Sequence, residues 1–347
     1  MSQATKDTKK ATDDHRADAA TPRPSDLSLR RPRMSLGGRT EQLALPMALV
    51  LMFIVFGALR PDVFLTWSNV ANILGSQSVL FVLVMAVLIP SIVGDFDLSL
   101  GGIMGLSSMV AGVLNVEAKW AILPAIGVGV LAGLAAGFLN GLFVVYFDSD
   151  ALIVTLGTGS VYTGIIFFLA GSSTVTGVSE SLSAWTFSNT LLGIPLEFYY
   201  GVIIMLIVWY VSTFTPLGLR AAFVGQSREV ALLSGIRVVR MRWWSFTLAG
   251  LVAGLAGIFL LGTTGSADPT ASVAYLLPAY AAAFLGATSI KPGRFNAFGA
   301  GIAVFFLATG VTGLQILGAQ NYVQQVFYGA ALVLAVVISR QLRKIVR

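Results

Sequence analysis

Ten apolar segments follow one another along the chain, separated by polar stretches. They lie at 42–59, 70–93, 99–115, 121–147, 151–170, 197–214, 245–262, 272–289, 296–314 and 322–340. Several approach the length of about 20 residues that a helix needs to cross a bilayer. The pattern predicts an all-α, polytopic transmembrane helical bundle of about ten spans, within a range of eight to ten. The segments at 99–115 and 296–314 are the shortest or richest in glycine, so either could be a partial or broken span.

The longest basic interruption of this pattern is Pro216–Trp244, in which the only acid is Glu229. Five arginines lie there: Arg220, Arg228, Arg237, Arg240 and Arg242. The charge predicts a segment in water on the cytoplasmic side. Ser227 is placed to cap a short helix over 228–234, and Gly235 to end it in a left-handed conformation. Such a helix suits docking on a partner, and it equally suits the membrane surface, where arginines meet anionic lipid headgroups.

The charges also predict an orientation. With the N-terminus inside, 20 of the 22 Lys and Arg residues fall in inner loops and tails, and only Arg60 and Lys119 lie outside. An even number of spans then places both termini in the cytoplasm. We expect residues 1–41 to be a disordered cytoplasmic tail. The transmembrane domain is predicted at 42–340, with its cytoplasmic loop at 215–244, followed by a basic C-terminus at 341–347.

Composition removes several classes of function. Hydrophobic residues make up 56% of the 347 residues and charged residues 11%, with a mean hydropathy of +0.83. Cysteine is absent and His15 is the single histidine, which excludes thiol chemistry and leaves no catalytic or metal site to propose. No GxxxxGK[ST] motif occurs, so ATP cannot bind through a P-loop. The basic charge is spread over loops, so nucleic acid is not an expected partner. We expect a protein without enzymatic activity or cofactor.

Two acids, Asp95 and Asp97, lie between apolar runs with glycines on both sides. Ionisable groups at bilayer depth usually face an aqueous cavity and mark a pathway. The alternative, which we favour, is that Asp97 or Ser99 caps the following helix and leaves Asp95 at the water interface. The candidate pathway residues are Asp95, Asp97, Ser99, Thr155 and Thr158.

Glycines recur at every fourth position of the 121–147 segment, at Gly129, Gly133, Gly137 and Gly141. Small residues four apart let two membrane helices approach closely. Gly250 and Gly254 repeat this spacing. We interpret these glycines as packing residues rather than transport residues. The 171–196 connection is the longest outer loop and is a candidate lid or docking surface.

Several short motifs occur together in a specific order. They are DFDLSLGG (95–102), LNGLFV (139–144), IVTLGT (153–158), VGQSREVALLSGI (224–236), LGATS followed by Gly293 and Arg294, and GLQILG (313–318). In this order they resemble the permeases of ABC importers for ribose, xylose, arabinose and similar sugars, over about residues 70 to 340. The family usually has proline where this chain has Ala151, and it often has an acid where this chain has Pro278. These departures bear on the substrate more than on the fold.

The resemblance implies a permease subunit in the bacterial cytoplasmic (inner) membrane that moves a monosaccharide or similar polyol. It implies a second permease subunit, expected to form a homodimer, two ATPase subunits that bind the ATP, and an extracytoplasmic sugar-binding protein; membrane lipid surrounds the spans. The family's ATPase-contacting loop corresponds to 224–236, which assigns coupling to Arg228, Glu229, Leu233, Ser234 and Gly235. The alternative is an ion-coupled secondary transporter that uses Asp95 or Asp97 at a broken helix. A purely structural membrane anchor fits ten spans poorly.

Overall fold

The computed structural model describes residues 36–171 and 173–345, with side chains from Gln42 to Ile338 except at position 172. The predicted disordered tail therefore lies almost wholly outside the described residues. The side chains of the predicted basic C-terminus lie outside them as well.

Helices make up most of the described chain. Their bounds are α1 Leu36–Leu59, α2 Pro61–Phe64, α3 Trp67–Ser76, α4 Ser78–Ile92, α5 Leu100–Val116, α6 Ile122–Gly141, α7 Ala151–Ala170, α8 Glu180–Ser183, α9 Leu196–Phe214, α10 Pro216–Gln226, α11 Arg228–Leu233, α12 Val238–Thr264, α13 Val273–Gly286, α14 Ala297–Ile316 and α15 Tyr322–Ile345. Two π-helical turns occupy Leu142–Tyr146 and Ala184–Ser188. The short strands are β1 Val175–Thr176, β2 Thr190–Leu191, β3 Ile194–Pro195 and β4 Ser266–Ala267.

Every predicted apolar segment contains a helix, but the helices differ in length. Within the described chain, six are long and apolar enough to cross a membrane: α1, α6 with its π-helical turn, α7, α9, α12 and α14. Helices α3 and α4 meet at a bend of 42° and together would make a seventh span. Helices α5, α13 and the Tyr322–Ile338 part of α15 are apolar but shorter. The chain is therefore a multi-pass, mostly helical membrane protein.

Of the two segments that could be partial or broken spans, 296–314 is unbroken, because α14 runs over 20 residues, whereas α5 at the other is one of the shorter helices. Its glycines serve packing instead: a Cβ atom at Gly301 would lie 3.1 Å from the ring of Phe81. The bend lies at Gln77, between α3 and α4. There the Ser78 hydroxyl donates to the Leu74 carbonyl at 3.1 Å, a side-chain bond of the kind that often bends helices.

Helix α12 begins at Val238, within the predicted loop at 215–244. The loop contains two helices, α10 and α11, rather than one. Helix α12 then carries Arg240 and Arg242 in its first turns. The basic segment is therefore a folded part of the bundle and not an extended connection.

Helix α4 lies at the centre of the core. Its residues from Ser78 to Leu88 are all buried, as expected for a helix that is apolar on every side. Helices α12, α5, α13, α9 and α14 surround it. In contrast, little of α1, α7 and α9 is buried, which suits contact with lipid or another subunit.

The 171–196 connection is folded at the end of α12 opposite the basic segment. Strand β1 pairs antiparallel with β4, which follows α12. Strands β2 and β3 form a hairpin, and its turn residues Leu192 and Gly193 both have positive φ, as a type I′ turn requires. In the loop between β4 and α13, the Thr270 hydroxyl and amide both donate to the Asp268 carboxylate. These bonds lower the pKa of Asp268.

Candidate functional site

The site is built around a break in the helical core, residues 93–99, between α4 and α5. Helix α4 ends in a Schellman motif: the Asp95 amide donates to the Pro90 carbonyl at 3.0 Å, and the Gly94 amide to the Ser91 carbonyl at 3.2 Å. Gly94 has φ +83°, a left-handed conformation that glycine adopts without steric cost. The chain therefore leaves the helix here because of its local sequence.

Each of the three backbone amides at positions 97, 98 and 99 donates a hydrogen bond to a side chain. The Asp97 amide donates to the Tyr280 hydroxyl of α13 at 3.0 Å, and the Leu98 amide to Thr155 Oγ1 of α7, also at 3.0 Å. The Ser99 amide donates to Asp97 Oδ1 at 3.0 Å. The Tyr280 hydroxyl in turn donates to the Asp97 carbonyl at 2.9 Å. Buried backbone groups need such partners, so these side chains make the break tolerable inside the bundle.

A chain of buried polar side chains leads from the break to α6 and α7. The Ser99 hydroxyl donates to Asp97 Oδ1 at 2.5 Å and accepts from Asn140 Nδ2 at 2.6 Å. The Tyr162 hydroxyl lies 3.1 Å from Asn140 Oδ1 and 2.9 Å from the Ala136 carbonyl. Within the described part of the chain, Oδ2 of Asp97 accepts no hydrogen bond. Asp97 is thus an acid with an unused acceptor in a fully buried network.

The two capping candidates, Asp97 and Ser99, differ in what they bind. Ser99 precedes α5 but makes no side-chain cap bond, whereas the Asp97 carboxylate holds the Ser99 amide just ahead of the helix. A carboxylate there is favoured by the helix dipole. Asp95 does not lie at a water interface, since only 3% of it is exposed.

Asp95 instead binds two arginines. Arg242 of α12 makes a two-point contact, with Nε 2.7 Å from Oδ2 and a terminal nitrogen 2.9 Å from Oδ1. A terminal nitrogen of Arg228, the first residue of α11, lies 2.8 Å from the same Oδ1. A buried carboxylate requires such cationic partners. Asp95 therefore links the break to both α11 and α12.

Helix α11 sits on the break through apolar contacts. Ser227 caps it, accepting from the Val230 amide at 3.4 Å, and Gly235 has φ +77°, so both local predictions are confirmed. Its Ala231 is buried in a small cluster with Val93, Val224 and Val238. A groove of about 470 Å³ runs beside it, lined by 93–94 and 224–229.

The outer side of α11 is apolar and uncovered. Leu233 is 89% exposed, and Val230 and Leu232 are exposed as well. Glu229, Ser234 and Gly235 are also exposed. An exposed helix with three exposed apolar side chains has the character of a contact surface.

The structure thus divides the predicted pathway residues. Asp97, Ser99 and Thr155 lie together in one network, and the Thr158 hydroxyl donates to the Thr155 carbonyl at 3.3 Å, one turn along α7. Asp95 is turned toward the arginines. Asp97, Ser99 and Thr155 have no exposed surface in the single subunit, so a route past them would require helix movement.

Sequence reasoning missed four residues of the site: Asn140, Tyr162, Arg242 and Tyr280. Asn140 had a usable signal, because its amide is the one polar side chain in α6, and such residues within spans are rarely accidental. Sequence reasoning also missed Glu197, a fully buried acid of α9. One of its oxygens accepts from the Thr263 hydroxyl at 2.7 Å. No group of His, Cys, Asp or Glu in the described residues is arranged to hold a metal ion.

The four glycines of α6 that were predicted to serve packing lie against α12 and α5. A Cβ atom at Gly133 would lie 2.8 Å from the Cα atom of Gly254, and one at Gly250 would lie 2.7 Å from the Cα atom of Gly137. Gly141 faces Trp243, and Gly129 faces the Ser107 carbonyl. We call the contact of Gly133 and Gly137 with Gly250 and Gly254 the glycine seam. Here the two helix backbones touch directly.

Comparison with known proteins defines the class. Residues 69–336 match the family described as the permease component of branched-chain amino acid transport systems, and the chain belongs to this family. The D-allose transport permease AlsC of Escherichia coli K12 is 32% identical, over 85% of this chain and 90% of that protein. The ribose import permease RbsC of Bacillus subtilis is 31% identical, over 91% and 98% respectively.

Two further likenesses complete the comparison. The autoinducer 2 import permease LsrD of Photorhabdus temperata is 29% identical, over 88% of this chain and 92% of that protein. A solved structure of a metal-chelate type ABC transporter aligns with a TM-score of 0.47 and 13% identity, over 80% of this chain and 89% of that one, which is too distant to argue from.

These relatives confirm the predicted resemblance to the permeases of ABC importers for monosaccharides. The chain is a transport component rather than an enzyme. A permease of this class works with an ATPase and a binding protein. The ion-coupled alternative is not favoured, and Asp95, already bound to two arginines, is a poor candidate for its cation site.

Proposed function

We propose that this chain forms the translocation pathway for a monosaccharide or similar polyol in the bacterial inner membrane. The relatives named for D-allose and ribose support this substrate class. The observation that carries the proposal is the position of α11. Its outer side is apolar and exposed, while its inner side is fastened to the break that contains Asp97. A partner that moves α11 would therefore act directly on the core.

We further propose ten spans with both termini in the cytoplasm. The six long helices, the bent pair α3–α4 and the three shorter apolar helices supply ten segments. The distribution of Lys and Arg supports the orientation. Because the chain has no cysteine, single cysteines can test it directly. Lys119→Cys is expected to react with a membrane-impermeant maleimide in intact spheroplasts, and Glu229→Cys only after permeabilisation.

The ATPase is proposed to dock on the exposed side of α11, through Glu229, Leu233, Ser234 and Gly235. The apolar exposure of Leu233 supports this surface. Arg228 was predicted to contact the ATPase as well, and that contact stays a prediction, although its guanidinium group is engaged with Asp95. Two permease copies would pair around the pathway, as in the permeases that the sequence resembles. A binding protein would deliver substrate at the opposite end.

The test is a reconstituted transport assay. The permease is co-expressed with the candidate ATPase and binding-protein genes of the source genome, and uptake of labelled D-ribose and D-allose into vesicles is measured with and without ATP. We expect ATP-dependent uptake that requires the binding protein. Uptake that follows an ion gradient without ATP would contradict the proposal.

A variant tests the docking surface. Leu233→Asp is expected to abolish both ATPase co-purification and uptake, because it places a charge in an apolar contact. Leu217→Asp is the matched control, since Leu217 is another exposed leucine, on α10. If Leu233→Asp keeps the ATPase and full uptake, α11 does not dock the ATPase, and contact with the membrane surface becomes the better interpretation.

A further inference from the structure

The two arginines on Asp95 hold it in different ways. Arg242 binds both carboxylate oxygens, and only 9% of its side chain is exposed. Arg228 contributes one nitrogen at 2.8 Å, and 45% of its side chain is exposed. The first contact is buried and two-pointed, and the second is single and open to water.

This difference makes one contact permanent and the other releasable. Removing the buried partner of a buried charge is strongly destabilising, whereas half-exposed ion pairs in water contribute little to stability. With Arg242 in place, Asp95 keeps a counter-charge even when Arg228 moves away. Arg228 can therefore engage and release without unfolding the break.

The contact between Arg228 and Asp95 also joins α11 to the break. Arg228 is the first residue of α11, and Asp95 precedes Asp97 by two residues within the break. Arg228 also reaches the Gly94 carbonyl at 3.5 Å. Beside it, the backbone at Gly225 packs directly on the Ile92 carbonyl. The contact between α11 and the break is thus short and direct.

We propose that the Arg228–Asp95 ion pair is a positioning contact that transmits movement of α11 to the break at 93–99, with Arg242 as its fixed support. The proposal rests on the proposed function, in which an ATPase drives α11. It assigns Arg228 a role inside the permease, acting through Asp95, and distinguishes it from the outward-facing Leu233. Changes at Arg228 should then separate ATP hydrolysis from substrate movement.

The experiment measures sugar imported per ATP hydrolysed, in the reconstituted complex with its ATPase and binding protein. The probe is whichever of D-ribose and D-allose the wild-type complex imports. Arg228→Gln is expected to keep the ATPase bound and hydrolysing ATP, while this ratio falls at least about fivefold, the lower end of usual coupling between sites. Arg228→Lys should recover most of the ratio. A simple loss of folded complex would lower uptake and hydrolysis together and leave the ratio unchanged.

Two further variants complete the test. Arg240→Gln is the matched control, because it removes the same charge from the same basic segment. Arg240 makes no ion pair among the described residues, so the ratio of sugar imported to ATP hydrolysed should be unchanged in this variant. The double variant Asp95→Asn with Arg228→Gln should have a ratio no lower than the worse single variant, since Asp95→Asn already removes the contact that Arg228→Gln breaks.

The outcomes that would contradict the inference can be told apart from one another. A wild-type ratio in Arg228→Gln overturns the inference and leaves the proposed function standing. Loss of the ATPase from Arg228→Gln also overturns it, because Arg228 would then be a docking residue. A wild-type permease that binds no ATPase removes the proposed function, and the inference with it.

Discussion

The break at 93–99 and the glycine seam hold neighbouring parts of one bundle together by opposite means. The seam works by the absence of side chains, so that backbones of α6 and α12 touch. The break works by their presence, since Tyr280, Thr155, Asn140 and the two arginines each supply a specific bond. The comparison indicates that close packing fixes two helices, whereas polar side chains can hold the segment that moves in the proposed mechanism.

The seam is expected to show the largest effect of substitution. In Gly137→Leu, the added Cβ atom would meet the Phe246 carbonyl and lie 2.8 Å from the Cα atom of Gly250. Backbone atoms cannot rotate away, so the cost should exceed about 3 kcal/mol. The measurement is the yield of monodisperse protein in detergent. Gly157→Leu is the matched control, because a Cβ atom there has no neighbour within 4 Å. Normal yield of Gly137→Leu would mean that the helices do not touch at this point.

The second-largest loss of stability is expected on substitution of Arg242, the buried partner of Asp95. Arg242→Met leaves the buried Asp95 with one half-exposed partner, and we expect a loss of about 3 kcal/mol or more, measured as a lower melting temperature. Adding Asp95→Asn to Arg242→Met should restore part of the stability, because the uncompensated charge is gone. A double variant less stable than Arg242→Met would show that Asp95 has other partners of equal weight.

The next prediction concerns Asp97, within the break itself. Asp97→Asn keeps an oxygen for the Ser99 amide, so folding and uptake should change little. Asp97→Leu leaves the Ser99 amide and hydroxyl without that acceptor, at a cost of about 1–3 kcal/mol. Thermal melting and uptake of both variants provide the measurement. Full loss of uptake in a well-folded Asp97→Asn variant would instead indicate a role that needs the negative charge.

The smallest effect is expected at a glycine outside the seam. A Cβ atom at Gly164 of α7 has no neighbour within 4 Å. Gly164→Ala should therefore change stability by no more than about 0.5 kcal/mol. A large loss in the melting temperature of this variant would show that α7 has a close partner in the assembled transporter.

The packing faces of α6 and α12 and the ends of α11 could be predicted because their causes are local, whereas the pairing of the two faces in the glycine seam joins residues far apart in sequence. Glycines four apart share one helix face whatever the rest of the chain does. Ser227 and Gly235 act on amides and angles within a few residues. The ten apolar segments were located for the same reason, since hydropathy is a property of each segment alone.

The partners of the break could not be predicted because they are distant in sequence. Asp97 and Tyr280 are separated by 183 positions, and Ser99 and Asn140 by 41. Nothing in the spacing of DFDLSLGG indicates which hydroxyl or amide will meet it. Asp95 was misplaced at a water interface for this reason, since its arginines lie 133 and 147 positions away.

The bonding of the amides at 97, 98 and 99 has a consequence for deuterium exchange. These amides lie outside any helix, yet each donates to a side chain within the protein core. At rest they should exchange with solvent as slowly as amides in a stable helix. A motion that draws Tyr280 away frees the Asp97 amide, and a motion that draws Thr155 away frees the Leu98 amide. Their exchange rate therefore reports how often the break opens, without an attached probe.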